Sequence, residues 1–521
     1  MALTTWLRWL KGGRGLAGRS RYQSPSTVRA PRQRFAPRLD VLEDRTLPST
    51  FTVMNLHDGG PGSLRAAIAA ANTNPGPDQI KFADGVTGTI PLTSGQLDIS
   101  GDLAIHGPGA DELTVSGNNA SRLFAIASGV TVTLSDLTIA QGKAVTGGGI
   151  DNAGILTLRD STVASNQAVG GAGGGGILNE AGAQLTVQSS TLIHNQAIAA
   201  SAAVDVFGGG LLNEGSAAVA SSTFQDNQAL GGGGSSFFGG SVGGAIDNFG
   251  GARLTVTDST FAHNEALGAS GLFNFGIGGA LENNSGYNQT TPSTATINNS
   301  IFIGNVASGG AQVTGNGGAL DNEGAGATMT LNNSTLLDNQ SVGGPEGGEG
   351  RGGGIFNLFG AVLTISKSRI ADNLAGGGPG AAGLFPNFVD GRGVGGGIDN
   401  ELGATLTILD STLSGNRAIG GNESTFGGTI ATANAGDGDG GGIANGDGPG
   451  GTLAPQFNGT ATLTLINSTV SNNLAQGGST SGGRGGTGQG GGIMDVGSPL
   501  TVVGSTFAAN LAQGEIGRAH V

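Results

Sequence analysis

The 521-residue chain has no cysteine. Disulfides, thiolate metal sites and thiol catalysis are excluded with it. Aromatic groups that could grip a sugar are scarce: Trp6 and Trp9 stand near the start, and beyond Tyr22 the one tyrosine is Tyr287. His57, His106, His194, His263 and His520 show no metal-ligand spacing. No run of ~18 apolar residues occurs, so no membrane-spanning helix is expected. Charged residues make up 12%, with 23 Lys/Arg against 37 Asp/Glu. Ten of those basic residues fall within positions 1–45, so the body is acidic. It has no basic stripe to displace counterions, which argues against nucleic acid as a partner.

What the chain has in excess is glycine, 105 residues, and a repeat. GGGIDN at 147 returns as GGGILN at 174, GGGLLN at 208, GGAIDN at 243, GGALEN at 278 and GGALDN at 317. GGGIFN at 352, GGGIDN at 395, GGGIAN at 440 and GGGIMD at 490 follow. A second block travels with it, from DSTVASN at 160 to GSTFAAN at 504. Every copy keeps a serine: Ser161, Ser190, Ser222, Ser259, Ser300, Ser334, Ser368, Ser411, Ser468 and Ser505. Every copy closes on an asparagine: Asn166, Asn195, Asn227, Asn264, Asn305, Asn339, Asn373, Asn416, Asn473 and Asn510. An apolar residue stands two places after each serine, such as Val163, Phe224 or Phe507.

Such a unit is too short to fold alone and alternates as strands do. Stacking solves both problems: each coil carries three short strands and lies on the one before it. The expected fold is all-β, a right-handed parallel β-helix (solenoid) of about 12 coils, ~60 Å long at ~4.8 Å per coil. Apolar positions become inward columns. The Ser and Asn columns become structural ladders, with Asn taking the left-handed backbone of a corner. The glycine pairs turn the chain at another corner.

Four segments are expected. Residues 1–48 form a basic, disordered export leader. Residues 49–146 hold an N-terminal cap and degenerate first coils: a strand over 51–54, then Ser63 capping a short amphipathic helix over 64–72. Residues 147–514 are the repeat array. Residues 515–521, EIGRAHV at the close, break the repeat's vocabulary and match a translated sequencing adapter. They are read as an artefact, leaving an array with no polar cap after Asn510.

Three stretches carry a resemblance. RLDVLEDRTLPS at 38–49 resembles an N-terminal motif of large exported proteins in planctomycete-type bacteria. DGGPGSLRAAIAAAN resembles the opening of bacterial β-helix surface proteins, with Gly62 where a Cys often stands. GGAIDN at 243 with FAHN at 261, and FIGN at 302, resemble the repeat of polymorphic outer-membrane-protein-like β-helices. That resemblance spans about 147–510. It implies a secreted or cell-surface, adhesin-like protein, though the outer-membrane barrel usual in that family is missing. A glycan or a cell-surface protein is the partner it suggests.

Insertions fall between each closing Asn and the next glycine pair, which predicts a ridge of loops along one edge. Phe237, Phe238, Phe273, Phe275, Phe385, Phe388 and Phe426 sit in them. They read either as a recognition strip or, preferably, as tethers folded onto the coil.

The alternative function is a polysaccharide-active β-helix enzyme, a lyase or a glycoside hydrolase, which needs paired carboxylates in a groove. Glu180, Glu214, Glu282, Glu323 and Glu401 recur after the glycine pair, with Asp151, Asp247, Asp321 and Asp399 nearby. A repeat-wide column of this kind reads as a solubilising surface, because catalysis needs one unique constellation. The chain is accordingly expected not to be an enzyme, with no catalytic residue and no cofactor. One loop, GDGDGGGIANGDG at 436–448, places Asp437, Asp439 and Asp447 where calcium could bind. It lacks the Glu that closes an EF-hand loop.

Overall fold

The structure, a computed structural model, describes residues 49–515 apart from 172, 202–203, 233–239, 270–273, 286–290, 381–390, 423–434, 447–459 and 481–483. The leader, residues 516–521, Asp447, Tyr287 and every loop phenylalanine above except the half-buried Phe275 lie outside the described residues.

The fold is a parallel β-helix, and every strand pairing is parallel to its neighbours one coil away. One coil shows the path. Arg253–Thr257 belongs to sheet I, Thr260–Ala262 to sheet II and Glu265–Leu267 to sheet III. Gly276–Ile277 belongs to sheet IV and Leu281–Asn284 to sheet V, after which Thr294–Asn298 re-enters sheet I. Sheets I to V hold 14, 13, 11, 8 and 12 strands.

The expected three strands per coil are therefore too few. The repeat coils carry four, and five once sheet IV begins at Val206–Phe207. The extra strands are only two or three residues long, as at Gln167–Val169 and Gly276–Ile277, too short for side-chain alternation to announce them. The expected single ridge of insertions also divides. In chain order, long connections follow both the sheet III strands, as between Leu230 and Ser241, and the sheet V strands, as between Asn284 and Thr294.

The core is the inward columns. Leu254, Val256, Phe261 and Leu281 are all at most 2% exposed. Phe224, Phe261 and Phe302 stack from coil to coil at centroid distances of 4.9 and 4.6 Å. Such offset aromatic stacking adds to plain area burial.

Both ladders form. Each serine Oγ accepts the N–H of the serine one coil before, at 3.0–3.2 Å. Each asparagine Oδ1 accepts both the N–H and the Nδ2 of the preceding Asn, at 2.9–3.1 Å. The left-handed residue, however, is not the asparagine but the one before it: Ser165, His194, Asp226, His263 and Asp338 have φ of 51–55°. The residue before each serine does the same, as at Asp160 and Asp258. The asparagine instead supplies the hydrogen bonds of the corner. A third ladder runs through the glycine block itself, Asn152, Asn179, Asn213, Asn248 and Asn283, each Nδ2 donating to the next Oδ1 at 2.7 Å.

A helix, α1, spans Leu64–Ala71 and buries Leu64, Ala67, Ile68 and Ala71 in the core. Ser63 caps it, its Oγ accepting from Ala66 N, so the expected cap stands. Asp58 ties the cap to the first coils, accepting from Arg65, Thr93 and Ser94. At the last described coil the inward columns surface, with Phe507 45% and Val502 42% exposed. Among the described residues no helix is long and apolar enough to cross a membrane.

Candidate functional site

Sheet register sorts the recurring acids into two columns. Asp151, Leu178, Leu212, Asp247, Glu282, Asp321, Phe356 and Asp399 align on successive strands of sheet V. Two residues further along each strand comes the second column, in which Asn284 aligns with Glu323 and Glu323 with Leu358. Glu180, Glu214 and Glu401 hold the equivalent place after Asn179, Asn213 and Asn400. Glu282 thus belongs with the aspartates rather than with the other glutamates.

The expectation of a solubilising surface fails here. Asp247, Asp321 and Asp399 are 0% exposed, and Glu282, Glu323 and Glu401 are buried too. The strands of sheet IV lie against the outer face of sheet V. Phe207 of sheet IV stacks on Phe249 at 5.9 Å, and Arg351 reaches Glu401. A cover made of two-residue strands leaves no sequence signal, so the acids read as exposed.

Under this cover two arginines enter. Arg351 bridges Glu349 at 2.7 Å and Glu401, with Asp399 3.9 Å away. Arg392 bridges Asp439, with Glu349 4.0 Å away. Burial would lower the Arg351 pKa, but Glu349, Glu401 and Asp399 outweigh it and raise it. Asp399 is pushed well above the ordinary carboxyl range by burial and by Glu401, against the pull of Arg351 and Arg392. The calcium loop of the sequence reading has its described carboxylates engaged: Asp439 with Arg392, and Asp437 with the Thr487 N–H and hydroxyl at 2.7 and 2.9 Å.

Sheet IV does not reach the first coils of the array. There Asp151 and Glu180 remain half-buried, as does Glu214 at the start of sheet IV. Arg122 pins this end of the line. Its Nη1 lies 3.0 Å from Asp151 Oδ2, and its remaining donors hold the carbonyls of Thr146 and Gly147. Glu180 is raised by burial first, then by the charge of Asp151, a hydrogen bond shared with Asp151 and the charge of Glu214; Arg122 opposes. Glu214 is raised by burial. A carboxyl whose pKa is raised beside another held by a guanidinium is an arrangement that acid–base catalysis uses. His194 and His263 lie apart from this site as corner residues; His194 is exposed and 3.5 Å from Asp226.

No protein-family profile matches the sequence, and no curated protein matches it. Solved structures do. The catalytic unit of a thermostable GH87 α-1,3-glucanase from Streptomyces thermodiastaticus is 14% identical, with TM-score 0.42, over 83% of this chain and 69% of that one. A mannuronan C-5 epimerase A-module from Azotobacter vinelandii is 12% identical, with TM-score 0.29, over 87% and 99%. A PL6 alginate lyase in complex with a trisaccharide is 12% identical, with TM-score 0.27, over 90% and 85%. At these identities the likeness is one of fold. All three are named as enzymes of polysaccharides, against the expectation that this chain is not an enzyme.

Proposed function

We propose that this chain is a polysaccharide-active β-helix enzyme working on the outer face of sheet V, at Arg122, Asp151, Glu180 and Glu214. The observation that carries the reading is the half-buried Glu180 carboxyl, its pKa raised by burial and by the charge of Asp151, beside an Asp151 that Arg122 holds at 3.0 Å. Glu180 is the acid that gives its proton to the leaving glycosidic oxygen as the C–O bond breaks. Asp151, anchored by Arg122, orients it. Glu214 follows one coil later at the equivalent position, so the two backbones stand about 4.8 Å apart. Glu214, also half-buried, is the second carboxyl of the pair that glycoside hydrolysis needs.

Asp151, Glu180 and Glu214 are half-buried where the later acids of sheet V are buried, so a sugar chain is proposed to reach them from this end. The scarcity of aromatic platforms favours recognition by hydrogen bonds and by Arg122 over stacking. Export, expected from the basic leader and the resemblance, suits an extracellular glycan. The purified chain is assayed on α-glucans and on alginate, for reducing ends and for unsaturated uronates. Turnover of either kind that disappears in Glu180→Gln supports the reading; turnover on neither, or turnover untouched by that substitution, defeats it.

A further inference from the structure

Glu282, Asp321 and Glu323 come together, buried, on adjacent strands of sheet V, one ligand oxygen from each lying within 4.8 Å of the other two. We propose that these three side chains bind a divalent cation of calcium's size, a site separate from the half-buried carboxyls of the first coils.

The donor set is all oxygen and carries up to three negative charges, which selects a hard cation over zinc or copper. Calcium takes oxygen ligands at ~2.3–2.6 Å, so two ligands on opposite sides stand up to ~5 Å apart. The cluster meets that limit. Magnesium at ~2.0–2.1 Å asks for a tighter cage and keeps more of its water.

A second observation points to a ligand. Both oxygens of Asp321 and Oε2 of Glu282 are buried without a hydrogen-bond partner, and so are both oxygens of Asp247 one coil before. Asp321 and Asp247 are 0% exposed. An unpartnered buried carboxyl is expensive whichever protonation state it takes, and a cation would satisfy all of these oxygens together. The charges that act on Glu282 come from Asp247, Asp321 and Glu323, all negative, and no basic group offsets them. Asn284 Nδ2 donates to Glu282 Oε1 at 2.7 Å. Two coils on, by contrast, Arg351 bridges Glu401 and stands 3.9 Å from Asp399. Neighbouring coils place the ligands without help from a loop, since Glu282 pairs with Asp321 and Asn284 with Glu323 in register.

The test reads stability, so it is independent of any turnover. The full chain is stripped with chelator at mildly alkaline pH, then titrated with calcium chloride or magnesium chloride. Calcium is expected to raise the unfolding temperature by several degrees, as binding to the native state must, and magnesium to raise it less. In Glu282→Gln/Asp321→Asn/Glu323→Gln the calcium shift is expected to vanish. This variant removes buried charge, so it should fold at least as well as the stripped wild type. Asp437→Asn/Asp447→Asn should keep the whole shift. An unfolding temperature that ignores calcium in the wild type overturns the proposal. So does a shift that survives the triple substitution.

Discussion

At the scale of single residues, the corners divide two tasks between neighbours. Asn264 satisfies the corner: its Oδ1 accepts from Asn227, and its Nδ2 donates to Phe224 O and to Asn305. Asn264→Ala strands buried donors on Asn227 and a carbonyl on Phe224. At ~1–3 kcal/mol for each buried group left unsatisfied, a loss of about 2–4 kcal/mol is expected by denaturant unfolding. His263, one residue earlier, carries the strained backbone at φ 53°. Its replacement by glycine relieves a left-handed conformation that costs L-residues ~1–2 kcal/mol, offset in part by glycine's own entropy. His263→Gly is thus expected to leave stability unchanged or raise it by up to about 1 kcal/mol. A sequence reader sees the asparagine because every copy spells it. The strained position is spelled Ser, His, Asp, Gly, Asn or Ala, and no constant letter marks it. Its bias toward Asp, Asn, His and Gly was the available signal.

At the scale of elements, sheet IV decides what the glycines are for. A Cβ on Gly315 would lie 2.4 Å from Ala307 O and 2.5 Å from Val342 O, both on sheet III. Gly350 and Gly393 face sheet III in the same way. Sheets III and IV therefore approach backbone to backbone in these coils, where the column, Val206 and Ser241 at its start, is glycine from Gly276 onward. Gly315→Ala must push them apart; overpacking of this kind costs ~1–3 kcal/mol. The expected sign is loss of protease resistance in the segments joining these two sheets before the core unfolds, measured by limited proteolysis. Sheet IV was the least legible part of the fold, since two residues such as Gly315–Asn316 show neither alternation nor β-branching. Helix α1 was the most legible, because Ser63 and the spacing of Leu64, Ala67, Ile68 and Ala71 state its start and its buried face. The site followed the same rule. The acids were readable as a column, but their burial depended on the strands that sequence could not show.

At the scale of the whole molecule, the line of acids sets how stability responds to pH. An unfolded carboxyl releases its proton near pH ~4. Asp247, Glu282, Asp321 and Asp399 are all raised well above that by burial, with neighbouring carboxylates adding to it. Above pH ~4 the unfolded chain has lost protons that the native chain still holds, so stability falls as pH rises toward the native values. Asp58 has the opposite sign. Burial pulls its pKa up, but the hydrogen bonds from Ser94, Arg65 and Thr93 outweigh it and hold it well below the usual range. Its contribution is present at neutral pH and fades as pH drops below ~4. In chelator, the unfolding temperature should therefore peak at mildly acidic pH. Asp247→Asn/Asp321→Asn/Asp399→Asn should flatten the alkaline side of that curve and leave the acid side alone.

On the proposed reading, the buried acids answer to stability and the half-buried ones of the first repeat coils to chemistry. Comparing turnover of a polysaccharide panel by wild type, Glu180→Gln and Glu282→Gln tests this most directly. The expected result is measurable cleavage that falls ~10²–10⁴-fold in Glu180→Gln, the usual worth of a positioned acid, and stays near wild type in Glu282→Gln. Equal rates in wild type and Glu180→Gln, or no cleavage of any polysaccharide by the wild type, would contradict it.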